Sequence, residues 1–488
     1  MSNQTAKLVK DIFYKNWNDE FIIDGINHAI FTYEEFWSIV INIKKTFDSL
    51  QLQKGDIIVS LMTNSVETVG LYFASLLSGV TILALDVNKG KKEKEEILNQ
   101  ADYKIIISNI HTMDFEGIIN FRETFGNVLT ISKIDKKSLD YLDDVNYDDL
   151  FSITFTSGST GIPKGVMHSF NNYVESSINF NNKFNFGRKN IFYHNLPMSY
   201  IGGILNLIIL PFISESKIVL GKQFDISDMM NFWEIPIKYS VNTFWFLPTV
   251  LTLLLKIDRN DIGIKYSKNN KIIGLVGTAP LHNELKKKFE EKYQIPLFES
   301  YCLSETFFVT TNFPQSDKSN SPGTILECVD VSFSSENEIL VKSPSMFLGY
   351  LGIDTSKYFS NDEYFTGDLG KIDEEGFLHI TGRKKDLIIR GGMNLSPKRI
   401  EDFITNFELF DEHTVIGIPD EIFGEKIVCI FVKQNDFQTE NLKILNSKII
   451  EELGKDHKID EFIQIEQIPK TNTGKVDKPK LRLKYSKK

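Results

Sequence analysis

Short apolar runs alternate with amphipathic stretches through most of this chain, and each switch carries a local signal. Thr32-Tyr33-Glu34-Glu35 is a capping box that opens an amphipathic helix. Asp56 to Leu61 reads as a buried strand, Asn64 or Ser65 caps a helix to about Ser78, and Gly79 ends it before a second strand at Val80 to Leu85. That is one βαβ unit. A helix over Lys89 to Gln100 and a strand over Lys104 to Ser108 repeat the pattern, which predicts a parallel sheet.

Farther along, Ser169 caps a helix through Phe184, and Tyr239 to Leu247 then Pro248 to Leu255 reads as strand then helix. Lys271 to Val276 is another strand. From Pro322 to Ile380 the texture becomes short strands and turns, including Glu338 to Lys342 and Phe377 to Ile380. A turn-rich charged segment, Gly382 to Asp386, then suggests a boundary. Beyond it come a strand at Leu387 to Arg390, a helix capped by Ser396 with Pro397 in its first turn, and a strand at Lys426 to Val432. The lysine-rich end, KPKLRLKYSKK, reads as a solvated tail. The expected fold is α/β: a large N-terminal domain (1–384) of α/β subdomains with parallel sheets plus a small β unit, followed by a small mobile α+β domain (385–488).

Bulk properties narrow this picture. At 488 residues the chain exceeds one core, and about three packing units is the prior. A net charge of −10 gives no reason to expect nucleic acid or an anionic membrane as partner. The N-terminus lacks a signal-peptide h-region, and the apolar stretch Ile201 to Ile213 is too short to span a bilayer and contains Pro211, so a core helix is expected there. Cys302, Cys328 and Cys429 are scattered and odd in number, which fits a reducing cytoplasm rather than a disulfide framework, and the histidines show no metal-ligand spacing.

Candidate chemistry concentrates at Thr156 to Gly165, TSGSTGIPKG, which follows a strand-like run. Gly158 and Gly161 permit close approach of backbone to an anion, Thr156, Ser157, Ser159 and Thr160 offer hydroxyls, and Lys164 offers a charge. It is not a Walker A loop, because Lys164 is followed by Gly165 and preceded by Pro163. A flexible Ser/Gly surface loop is the plain alternative.

Four more segments follow in order: SYCLSET at Ser300 to Thr306, YFTGDLG at Tyr364 to Gly370, GRKKDLIIRGGMNLSPKRIE at Gly382 to Glu401, and PKTNTGKV at Pro469 to Val476. Together with TSGSTGIPKG they resemble the adenylate-forming enzymes: acyl-CoA synthetases, carrier-protein-loading adenylation domains and firefly luciferase. The resemblance spans almost the whole chain. It implies attack of a carboxylate on the α-phosphorus of ATP with loss of pyrophosphate, then displacement of AMP by a thiol.

Carried onto this sequence, the resemblance implies that Lys164 and the loop hydroxyls hold the β- and γ-phosphates and that Glu305 binds Mg²⁺, a hard cation suited to oxygen donors. Tyr301 would lie against the adenine, with Ser304 beside it in the nucleotide site. Asp368 would accept from both ribose hydroxyls, Arg383 would reach ribose or phosphate, and Lys475 would bridge the attacking carboxylate and the α-phosphate. Lys385 occupies the hinge position, and Gly391 and Gly392 would line the path of a pantetheine arm. Lys470 and Lys478 read as surface charges. GGMNLSP looks more like acyl-CoA synthetases than peptide-synthetase domains, which favours CoA over a carrier-protein phosphopantetheine as acceptor.

Departures from the family pattern bear on the substrate. Tyr200 stands where a histidine is common, Cys302 where a glycine is usual, and Thr278, after Gly277, where Gly or Ala is common. The larger side chains of Cys302 and Thr278 would take volume from the acyl pocket, and Tyr200 would gate the passage between acyl and thiol tunnels or only pack, so a small hydrophobic or aromatic acid is expected. Around Tyr200, Trp245, Gly277 and Phe307 no acidic residue invites an α-ammonium group. The rival readings are an enzyme loading an acyl or peptidyl carrier protein, a non-catalytic nucleotide-binding scaffold and, more remotely, a luciferase-like oxidase.

Overall fold

The computed structural model describes residues 2–110, 115, 117–156, 163–258, 261–277, 281–390, 393–420, 423–434, 437–471 and 475–486. Packing separates two units: Met1–Asp330 with Lys342–Asp362, and Val331–Val341 with Glu363–Lys488. The chain therefore passes from one unit to the other and back before it settles in the second.

In the first unit, Ile57–Leu61, Thr81–Ala84, Ile105–Ser108 and Leu150–Thr156 form the parallel centre of a seven-stranded sheet. These strands are near-continuous apolar runs because both faces are covered, and Val59, Leu83, Ile106 and Ile153 share one core. The Val66–Ser78 helix is capped by the Ser65 side chain and ends at Gly79, whose φ of 62° is left-handed. Thr32 and Glu35 complete the expected capping box at the Tyr33–Ser49 helix. A nine-stranded sheet holds Thr243–Phe246, Ile273–Val276 and Leu297–Leu303 in parallel, and Phe307–Thr311 turns back antiparallel beside the last of them.

Ile201 to Ile213 is a buried helix, as expected, with a π segment at Leu205–Ile209. Leu210 N–H reaches Leu205 O, five residues back, immediately before Pro211, which has no N–H to give. No helix among the described residues is long and apolar enough to cross a membrane.

In the second unit, Glu338–Lys342, Glu363–Ile372 and Leu378–Arg383 form an antiparallel group. The long pair Phe410–Asp420 and Gly424–Lys433 has cores on both faces. Val415, Ile427 and Cys429 face Ile400 and Leu445, whereas Ile416, Val428 and Ile430 face Leu481 and Tyr485, the alternation that a strand imposes.

The α/β class holds, with three local corrections. The lysine-rich end is not a solvated tail: Lys478–Tyr485 is a helix whose N-cap Asp477 accepts from Lys480 N–H and whose Leu481 and Tyr485 are buried. The strand expected from Tyr239 begins at Thr243, because Tyr239 closes the Glu234–Lys238 helix. Ser396 precedes the Pro397–Thr405 helix, but its hydroxyl donates to Thr381 O at 2.6 Å instead of capping.

Candidate active site

Thr156 and Lys164 face each other across the antiparallel pair Leu150–Thr156 and Lys164–Ser169. The Lys164 ammonium donates to Tyr358 Oη at 2.9 Å and lies 5.0 Å from the Tyr350 ring centroid and 4.7 Å from that of Tyr358. Among the described residues Lys164 makes no ion pair. Its hydrogen bond to Tyr358 is the main cause that lowers that phenol's pKa below the ordinary value, against the opposing effect of burial.

Tyr350 links Lys164 to Glu305, since its hydroxyl donates to Glu305 Oε1 at 2.7 Å. Backbone pairing places it there. Gly349 and Tyr350 sit opposite Met167 and Val166, Leu351 N–H reaches Gly165 O at 2.8 Å, and Phe347 N–H reaches Glu305 O at 2.9 Å. Two catalytic candidates far apart in sequence thus meet through an aromatic segment that sequence reasoning missed.

Glu305 lies in the turn between Leu297–Leu303 and Phe307–Thr311. His168 holds this turn: its Nε2 donates to Ser304 O at 2.6 Å, and its ring stacks on Phe307 with centroids 3.9 Å apart. Burial brings its pKa down to about 4, so the ring is neutral near pH 7. Phe307 itself has φ of 59°, a left-handed backbone that costs energy for an aromatic residue and is sustained here by packing against His168 and Tyr173. Tyr301 is buried on its strand opposite Thr310.

Of the residues expected to line an acyl pocket, Tyr200 precedes the Ile201–Ile204 helix, and burial, then the neighbouring Cys302 thiol, pushes its phenol pKa up. Gly277 follows Ile273–Val276, and a Cβ there would stand 3.3 Å from the Trp245 ring, so the glycine leaves room along that indole. Among the described residues the buried Trp245 N–H has no hydrogen-bond partner.

In the second unit, the strands Glu363–Ile372 and Leu378–Arg383 set Asp368 opposite Arg383, and Arg383 Nε donates to Asp368 Oδ1 at 2.7 Å. Asp368 is 2% exposed. Gly367, with φ of 73°, gives its N–H to Glu338 Oε1 at 3.0 Å, and Lys384 bonds Glu338 Oε2 at 3.0 Å, so a buried carboxylate braces the turn beneath Asp368. Lys385 follows directly; burial, then Arg383, lowers its pKa. Lys475 is exposed, and its carbonyl accepts from Thr471 N–H at 2.7 Å.

Ser157, Gly158, Ser159, Thr160 and Gly161 of the expected phosphate loop, Thr278 of the acyl pocket, and Gly391 and Gly392 of the thiol path lie outside the described residues. No cluster of three or more His, Cys, Asp or Glu suited to a metal occurs among the described residues. Glu305 with a bound phosphate is the donor set that suits Mg²⁺.

Residues 14–351 match the model of the AMP-binding enzyme family, and residues 399–475 match that of the AMP-binding enzyme C-terminal domain. The chain belongs to the AMP-binding enzymes. This AMP-binding enzyme is 28% identical over 475 residues to the 2-succinylbenzoate–CoA ligase of Staphylococcus epidermidis, covering 93% of each chain. It is 29% identical to the ligase of that name from Listeria monocytogenes (93% and 95% covered) and 25% identical to 4-coumarate-CoA ligase 1 of Narcissus pseudonarcissus (95% and 90%). In fold it is similar to ATP-bound MatB from Rhodopseudomonas palustris, with a TM-score of 0.84 at 24% identity and 99% of each chain covered. It is also similar to the o-succinylbenzoate CoA synthetase MenE of Bacillus subtilis, with a TM-score of 0.82 at 22% identity and 97% of each chain covered. The expectation of an AMP-forming ligase of the acyl-CoA synthetase type stands.

Proposed function

We propose that this AMP-binding enzyme activates a small aromatic carboxylic acid with ATP and passes the acyl group to CoA. A carboxylate oxygen attacks the α-phosphorus, the bond to the β-phosphate oxygen breaks, and pyrophosphate leaves. The CoA sulfur then attacks the acyl carbon, the bond to the phosphate oxygen of AMP breaks, and the thiol proton passes to solvent.

The observation that carries this reading is the Lys164 ammonium held against two phenol rings, beside Glu305 but unneutralised by any described carboxylate. A cation so placed suits the β- and γ-phosphates. Glu305, whose Oε1 is taken by Tyr350, would offer Oε2 to Mg²⁺, which when bound draws charge from the phosphate oxygens. Asp368 and Arg383 are assigned to the ribose and Tyr301 to the adenine, with Thr156, Ser304 and the glycine-rich loop completing the nucleotide site. Lys475 is assigned to the α-phosphate and the attacking carboxylate. Lys385 is the proposed pivot of the C-terminal domain (385–488), and Gly391 and Gly392 the proposed wall of the pantetheine path.

An aromatic acid is favoured because Tyr200, Trp245, Phe307 and Phe308 make the candidate acyl wall, and because 2-succinylbenzoate and 4-coumarate, named for two relatives, are benzene-ring acids. The three cysteines form no disulfide, which supports a reducing, cytoplasmic setting. The test is a carboxylic-acid panel scored for ATP-dependent pyrophosphate release with and without CoA. Release with one aromatic acid and formation of its CoA thioester is the expected result. Release without a CoA thioester would move the acceptor to a carrier protein, and no release with any acid would sink the enzymatic reading.

A further inference from the structure

We infer that Glu401 and Lys478 are a positioning pair that fixes the turn presenting Lys475, with Glu412 and Lys470 as its second anchor. This deepens the reading above and rests on the role proposed there for Lys475.

The turn is closed at its neck by backbone. Asp477 N–H donates to Pro469 O at 2.9 Å, Thr471 N–H to Lys475 O at 2.7 Å, and Lys470 and Val476 form an antiparallel bridge. Ile468 before the turn is fully buried, and Val476 after it packs against the same apolar cluster. Each limb then carries an ion pair: Lys470 with Glu412 at 2.8 Å, and Lys478 with Glu401 at 2.9 Å. The two lysines expected to be surface charges are therefore both paired, and the side chains of Lys478 and Glu401 are each only 17% exposed.

Two features mark the Glu401–Lys478 pair as more than a surface contact. Lys478 is the first residue of the Lys478–Tyr485 helix, where the helix dipole disfavours a cation, so its charge is placed against local preference. Glu401 Oε1 also accepts from Val415 N–H at 2.7 Å and Thr414 Oγ at 2.8 Å, which ties the Pro397–Thr405 helix, the Phe410–Asp420 strand and the C-terminal helix to one oxygen. Glu412 lies on that same strand. Both limbs of the turn are thus referred to one strand, and the position of Lys475 at the neck of the turn is set there.

Lys478→Met and Glu401→Gln test this, beside Lys478→Arg and Lys475→Ala. The expected result for Lys478→Met is a fall of at least about tenfold in the kcat of ATP–pyrophosphate exchange, with the KM for ATP changed less than about twofold. Thioester formation from supplied acyl-adenylate is kept, and Lys478→Arg restores exchange. Independently of turnover, amide hydrogen exchange at Thr471 and Asp477 quickens in Lys478→Met while the rest of the chain is unchanged. Unaltered amide protection in the neck, or equal loss in both half-reactions with faster exchange throughout the chain, would overturn the proposal. Full pyrophosphate exchange in Lys475→Ala would instead remove the role of Lys475 on which the proposal rests.

Discussion

Lys164 and Lys478 are both half-withdrawn from water, yet one lies against two phenol rings and the other against a carboxylate. A ring face supports an ammonium without cancelling its charge, whereas a carboxylate at 2.9 Å consumes it. The first arrangement leaves a cation free to meet an anion, and the second turns a cation into a fastener. The same contrast separates Lys164 from Lys384, which spans Glu336 and Glu338. On the roles proposed above, the partner of a lysine, more than its burial, divides binding groups from holding groups.

The sharpest way to extend that contrast is Lys475→Ala, which is expected to cost the adenylation step on the order of 10³-fold while leaving thiolysis of a supplied acyl-adenylate largely intact. Equal loss in both steps would remove its assignment. The neutral side of the first unit comes next. His168 and His194 are held near a pKa of about 4 by burial, so between pH 6.5 and 4 the unfolded chain takes up protons that the folded chain refuses. Stability should fall as pH falls across that window, by roughly 3 kcal/mol for each histidine, and His168→Gln should make the slope seen in urea unfolding at stepped pH shallower. A slope unchanged by the substitution would mean that His168 titrates normally.

Lys164→Ala should lower pyrophosphate exchange roughly 10²-fold with a thermal midpoint close to that of the parent, because no ion pair is lost. A collapse of stability with activity spared would break the comparison, since Lys164 would then be a fastener too. Smallest is Tyr350→Phe, which keeps the ring under Lys164 but removes the donor to Glu305. About tenfold weaker activation in a Mg²⁺ titration is expected, and Tyr350→Ala should lose a further ~1 kcal/mol of nucleotide binding along with the ring face.

Much of this was legible in local signals. The Thr32–Glu35 box, Ser65, Gly79 and the apolar runs of the parallel strands specify their elements through neighbours a few residues away. Tyr350 and Tyr358 were not legible, because they reach Glu305 and Lys164 across 45 and 194 residues and nothing in their own neighbourhood announces it. The C-terminal helix was hidden by lysine-rich composition, although Asp477 before Pro479, with Leu481 and Tyr485 four apart, carried its cap and its buried stripe. His168 gave no sign in sequence, since a ring that holds one carbonyl and stacks on one phenylalanine follows no spacing rule.

The route of the chain has a mechanical consequence. Val331–Val341 belongs to the second unit, although Lys342–Asp362 after it belongs to the first. A protease nick between Asp362 and Glu363 would leave the strand Glu338–Lys342 on one fragment and its ladder partner Glu363–Ile372 on the other, with Leu340 beside Phe365. The severed pieces would still be hooked together by that ladder, so the enzyme cannot be divided into its two units by a single cut.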